Sequence, residues 1–135
     1  MKNDIKTRED VFLLVSGFYK KVRQNPEIGH FFNEVIHDWH AHIEKLTDFW
    51  ESNLFLKALY KGNPQKVHLK VDQENNQQIS SYHFGVWLNL WFETIDELYA
   101  GELANRAKNN ARKMSSHLYL KIFQEREKIN KSSSL

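Results

Sequence analysis

Apolar side chains recur at three- and four-residue intervals over most of this chain, and no stretch of any length alternates as a half-buried strand would. Val11, Phe12, Val15, Phe18, Tyr19 and Val22 fall on one face of a helix over 11–22. Asn25-Pro26 stops it, because a residue before proline is pushed out of the helical region. A short aromatic segment follows, from Ile28 to Val35. Asp38 is a good N-cap for a second amphipathic helix from Trp39 to about Lys57, whose stripe reads Trp39, Ile43, Leu46, Phe49, Trp50 and Leu54. Gly62-Asn63-Pro64 predicts a loop, with Pro64 opening a short helix through Leu69, and the polar run at 71–81 predicts another loop. Two long helices close the chain, over about 82–99 and 102–129, the first with the stripe Phe84, Trp87, Leu88, Trp91, Ile95 and Leu98. The expectation is a single all-α domain over 1–135, with loose tails at about 1–6 and 130–135. One short turn stands where a four-helix bundle would want a full helix, so a plain bundle fits poorly.

Composition changes the picture in two ways. Nine Phe, five Tyr and four Trp in 135 residues predict a core, or a pocket, built from large flat side chains. The absence of cysteine excludes disulfides, thiolate metal sites and cysteine nucleophiles. Any metal is held by His, Asp or Glu, or arrives inside a cofactor. A net charge of +2 is too slight to argue for nucleic acid. The polar N-terminal stretch has no apolar run of signal-peptide length, and nothing approaches the roughly 20 apolar residues of a membrane span. A soluble cytoplasmic protein is the expectation.

The densest candidate chemistry is VIHDWHAHIEKLTDFW (35–50), with three histidines in six positions. On a helix starting at Asp38, His40 and His42 lie about 200° apart and cannot share a metal. His37 precedes the cap and could approach His40, but no third ligand is evident, and zinc wants three or four. Glu27-x-x-His30 and Glu34-x-x-His37 match the spacing of di-iron bundles, but they stand seven residues apart in one segment, without the inward glutamates that later helices would have to supply. His42 is the exception, since it falls within the apolar stripe of its own helix. Tyr19 lies at the edge of its stripe and Trp87 within another. Each alone reads as ordinary core. Three polar-tipped side chains turned inward from three helices, all needing partners, suggest a polar pocket.

Four segments taken together, FYKKVR (18–23), DWHAHIEKLTDFW (38–50), YKGNPQKVHL (60–69) and HFGVWLNLW (83–91), resemble the group III truncated haemoglobins. The resemblance runs over about residues 11–125. It implies a globin-like two-over-two helical sandwich around haem b (iron protoporphyrin IX), with the proximal helix reduced to a turn, which accounts for the short element after Pro64. It implies that His68 is the iron ligand, with Tyr19, His42 and Trp87 on the side where a diatomic ligand binds. It further implies that Leu46 neighbours that ligand, that Phe32 packs on the haem face and that Trp50 closes the distal side, with Tyr60, Leu69, Phe84 and Leu88 completing the haem lining. Two departures stand out: the polar segment after His68 is several residues longer than is usual, and His30 stands where relatives often carry proline.

The function implied is binding of O2, NO, CO or peroxide at a five-coordinate haem iron, with high O2 affinity and slow release. That behaviour suits redox chemistry, peroxidase-like or NO-dioxygenase-like, better than bulk oxygen transport. A reductase partner and a monomeric state accompany the expectation, without nucleic acid or membrane. The rival class is a helical interaction or nucleic-acid module. It rests on Arg106, Lys108, Arg112, Lys113, Lys121, Arg126 and Lys128 in the last helix, charges that surround the helix and that Glu125 and Glu127 interrupt. A haem sensor would need an output domain that 135 residues do not hold.

Overall fold

The computed structural model describes residues 2–56 and 79–133, with side chains described through residue 128. Within them lie five helices and no strand: α1 (Arg8–Gln24), α2 (Gly29–Asn33), α3 (Trp39–Phe55), α4 (Ser81–Leu98) and α5 (Glu102–Ser133). The expected short helix after Pro64 and most of the 71–81 loop lie outside the described residues.

Local chemistry sets the helix limits. Thr7 caps α1, its hydroxyl accepting from the Asp10 N–H at 3.2 Å while the Asp10 carboxylate accepts from the Thr7 N–H at 3.1 Å. At the other end the Asn25 side chain accepts from the Glu27 and Ile28 N–H groups, at 2.8 and 3.1 Å, and turns the chain ahead of α2. Gly29 follows because a Cβ there would sit 2.7 Å from the Arg23 carbonyl. Asp38 caps α3 by accepting from the Ala41 N–H at 3.1 Å. That helix ends at Phe55 with Leu56 in the left-handed region, φ 57°.

α1 packs on α3, and α4 on α5; α1 also meets α4, and α3 meets α5. Two helix pairs therefore clasp one core. Its centre is aromatic. Phe18 stands edge-on to Tyr19, Trp87 and Trp91, with centroids 4.7, 5.4 and 4.9 Å away, and Trp50 stacks on Trp91 at 4.7 Å. Ala104, Ala107 and Ala111 give α5 a small-residue face that lets it close on the core, and the Trp91 indole N–H donates to the Ala107 carbonyl at 3.1 Å. On the rim, Arg8 joins α1 to α3 through Glu44, Asp48 and Glu51.

Four expectations need correction. Phe12 is 39% exposed, and Leu14 takes its place in the core. By helical phase Phe12 lies about 100° round from Val11, just past Tyr19 at the edge of the buried face, whereas Leu14 lies within it. At the end of α4, Leu98 is 38% exposed while Thr94 is buried, its hydroxyl satisfied by the Leu90 carbonyl at 2.7 Å. Residues 2–6 are not a loose tail. Ile5 is 1% exposed, the Ala100 N–H donates to the Asn3 carbonyl at 3.1 Å, and the Asp4 carboxylate accepts from Leu103 and Ala104 at 2.9 Å each, capping α5 from across the chain. Gly101, at φ 143°, makes room for it, since a Cβ there would meet Asp4 Cγ at 2.5 Å. At the far end α5 continues to Ser133, beyond the expected limit at residue 129.

Candidate functional site

α1, α3 and α4 each bring one polar-tipped side chain to the same place. Tyr19 is 4% exposed, with the His42 ring edge-on at 5.5 Å, Trp39 at 5.8 Å and Phe32 at 6.2 Å. The Trp87 indole lies near enough to the Tyr19 hydroxyl to interact with it. Burial pushes the Tyr19 phenol well above its ordinary pKa, and the neighbouring Trp87 offsets part of that rise. Tyr19 therefore keeps its proton at any ordinary pH. His42 is half-buried and lies between Tyr19 and Trp39, whereas His37 and His40 are exposed. Among the described residues no group of three His, Asp or Glu side chains is arranged to hold a metal ion.

Beside this cluster lies a small pocket, about 20 Å³, lined by Ile28, Phe31, Phe32, Ile79, His83, Phe84 and Trp87. Its walls are almost wholly apolar and largely aromatic, with Trp87 linking it to Tyr19. Flat hydrocarbon walls with polar tips confined to one side suit a planar macrocycle that carries a reactive centre. The described residues thus fit the haem that the resemblance implies. His83 is the polar exception on the wall. Its Nδ1 accepts from the Ser80 N–H at 3.0 Å, which caps α4 and leaves the proton of the neutral ring on Nε2. Desolvation first, and then the neighbouring His30, hold the His83 pKa below its usual value, against an opposing pull from Glu27.

Of the residues expected at the site, the structure brings together Tyr19, Phe32, His42 and Trp87, with Phe84 on the same cavity. Leu46 is half-buried against the core. Trp50 belongs to another layer, stacked on Trp91 between α3 and α4. Leu88 lines a separate cleft between α4 and α5 with Phe84 and Tyr119. His68, Tyr60 and Leu69 lie outside the described residues. Ile28, Phe31, Ile79 and His83 were not foreseen. Phe31 adjoins an expected residue in the aromatic segment and could have been named, but nothing local marks Ile79, which follows a polar run.

The long cationic face of α5 is mostly neutralised. Lys108 pairs with Asp96, Arg106 with Glu102, and Lys121 and Lys128 with Glu125, while Arg126 donates to the Ile79 carbonyl. Among the described residues no helix is long and apolar enough to cross a membrane.

No family-wide sequence profile matches the chain. It is 30% identical over 121 residues to the Group 3 truncated hemoglobin ctb of Campylobacter jejuni, a match covering 87% of this chain and 91% of that protein. The crystal structure of a group III truncated hemoglobin from Campylobacter jejuni superposes with a TM-score of 0.78 at 29% identity, covering 90% of this chain and 95% of that one. The clasp of α1 and α3 on α4 and α5 is therefore the truncated-haemoglobin fold, and the chain belongs to the group III truncated hemoglobins.

Proposed function

We propose that this globin holds haem b through His68 and binds O2, NO, CO or peroxide beside Tyr19, with high O2 affinity and slow release. Haem iron held by a single imidazole supplies an open coordination position for such a molecule. The observation that carries the reading is the buried pair of Tyr19 and Trp87 at the edge of an aromatic cavity. Tyr19 is the direct donor. Trp87, beside the Tyr19 hydroxyl, limits where the phenol can point. A hydrogen bond to a charged partner contributes about 1.5–3 kcal/mol, so one well-aimed donor slows release by roughly tenfold or more. Phe32, Phe84 and Leu46 exclude water, which strengthens that bond. His42, half-buried at the border with Trp39, is placed to gate access or to hold a proton for the ligand.

Slow release disfavours bulk transport and favours chemistry on the held ligand, peroxidase-like or NO-dioxygenase-like, with a reductase returning the electrons. A cytoplasmic monomer completes the proposal. The test is the visible spectrum of the purified protein. A Soret band that disappears in His68→Ala supports it; a colourless protein unable to take up haem ends it.

A further inference from the structure

A second groove, about 430 Å³, opens between α1, α2 and α3. It is lined by Ser16, Tyr19, Lys20, Arg23, Gln24, Asn33 and Ile43, which include two cations and no carboxylate. Most other cations on the neighbouring helices are paired: Arg8 with three carboxylates of α3, and Lys21 with Glu93 and Glu97. The guanidinium of Arg23 is held in place. It lies over the Trp39 ring at 4.6 Å, its Nε donates to the Asn33 side chain at 3.4 Å, and the Asn33 amide donates back to the Arg23 carbonyl at 3.1 Å. These contacts use Nε and the face of the group and leave its two terminal nitrogens as a fixed fork.

The groove wall also holds a hydroxyl with no hydrogen-bond partner among the described residues. Thr47, Thr94 and Ser116 each donate to the carbonyl four residues earlier in their helices, at 2.8, 2.7 and 3.3 Å. Ser16 makes no such bond, and its buried Oγ has no hydrogen-bond partner among the described residues. Buried hydroxyls are normally satisfied, and this one, on the groove wall but closed to water as it stands, meets a ligand only when the Ser16 side chain turns outward.

We propose that this groove is a binding site for a small oxoanion, held by the Arg23 fork and Lys20, with Ser16 as a neutral donor. The planar fork matches two oxygens of one anion, and Lys20 adds a point charge. Tyr19 forms part of the wall, so an anion here would sit against the phenol whose other neighbours are Phe32, His42 and Trp87.

Inorganic phosphate and nitrate are the probes, titrated calorimetrically and by the fluorescence of Trp39, which lies beneath Arg23. Saturable binding is expected, weakened roughly tenfold or more in Arg23→Gln, where charge-assisted bonds are lost, and by less in Lys20→Gln and Ser16→Ala. Lys21→Gln removes the same charge from a lysine already paired, and should leave affinity unchanged. Arg23→Lys keeps the charge without the fork and should still bind several-fold more weakly than the native protein. Non-saturable binding to the native protein would overturn the proposal. So would equal losses in Lys20→Gln and Lys21→Gln, which would reduce the effect to net charge. Circular dichroism of each variant separates a lost site from a lost fold.

Discussion

Two tryptophans one turn apart on α4 are both buried in the same aromatic core, yet they belong to different kinds of region. Trp91 stacks on Trp50, and its N–H is spent on the Ala107 backbone carbonyl. Trp87 turns its N–H toward another side chain, the Tyr19 hydroxyl, at the edge of a cavity. Phe18 touches both rings, so the two layers share a wall. Burial does not tell them apart; what separates them is where the polar atom goes. A tryptophan whose N–H closes on the backbone is finished when the chain folds. One whose N–H lies beside a buried phenol keeps a polar patch inside the core.

The comparison can be broken most sharply at Trp91. Trp91→Ala removes a fully buried ring and leaves the Ala107 carbonyl without its donor, and should cost about 3–5 kcal/mol of unfolding free energy. Denaturant titration measures it, and a loss below about 1 kcal/mol would deny the Trp91 layer its structural role. Tyr19→Phe should do the reverse. We expect O2 to leave the haem-loaded protein roughly tenfold faster or more in stopped flow, while unfolding changes by only about 1 kcal/mol. An unchanged off-rate would return Tyr19 to the category of packing. Trp87→Phe keeps an aromatic side chain but removes the indole N–H beside Tyr19 together with part of the indole volume. It should speed release by a smaller factor, about two- to tenfold, and should add little to Tyr19→Phe in the double variant. Additive effects would instead make Trp87 an independent donor.

The smallest effect belongs to the cavity wall. Because His83 has a folded pKa below its unfolded value of 6.5, protonation favours the unfolded chain. Stability should therefore be greatest above about pH 6.5 and decline as the pH falls through that value toward the folded pKa. Protonated Nδ1 can no longer accept from Ser80, so fraying should begin at the start of α4. Thermal unfolding from pH 7.5 to 5.5 checks this, and an equal decline in His83→Gln would assign the effect to other groups.

Much of this arrangement is legible in the sequence, and what is not has an identifiable reason. Helix limits set by local chemistry, such as the Asn25-Pro26 stop and the Asp38 cap, read directly. So does the inward turn of Tyr19, His42 and Trp87, because helical phase alone places them. The resemblance then joins three separate hints into one site. Reading fails where a residue's place depends on a distant partner. Trp50 and Leu88 lie on apolar stripes, but the stripe does not say which layer receives each one. Ile5 stands alone among polar neighbours and gives no periodic signal, although it is fully buried. His83 at the third position of α4 is an unusual capping partner, and the paired role of Ser80 and His83 is visible only in the fold. The groove at Arg23 depends on three helices and has no motif.

The Asp4 carboxylate has a consequence of its own. It caps a helix that begins about a hundred residues later, at Leu103 and Ala104, so the cap is synthesised long before the helix it serves. During synthesis the early helices can collapse while that carboxylate waits with no N–H to bind. The last helix then emerges to a start site already in place, and the contact that closes the fold joins the two ends of the folding sequence in time as well as in space.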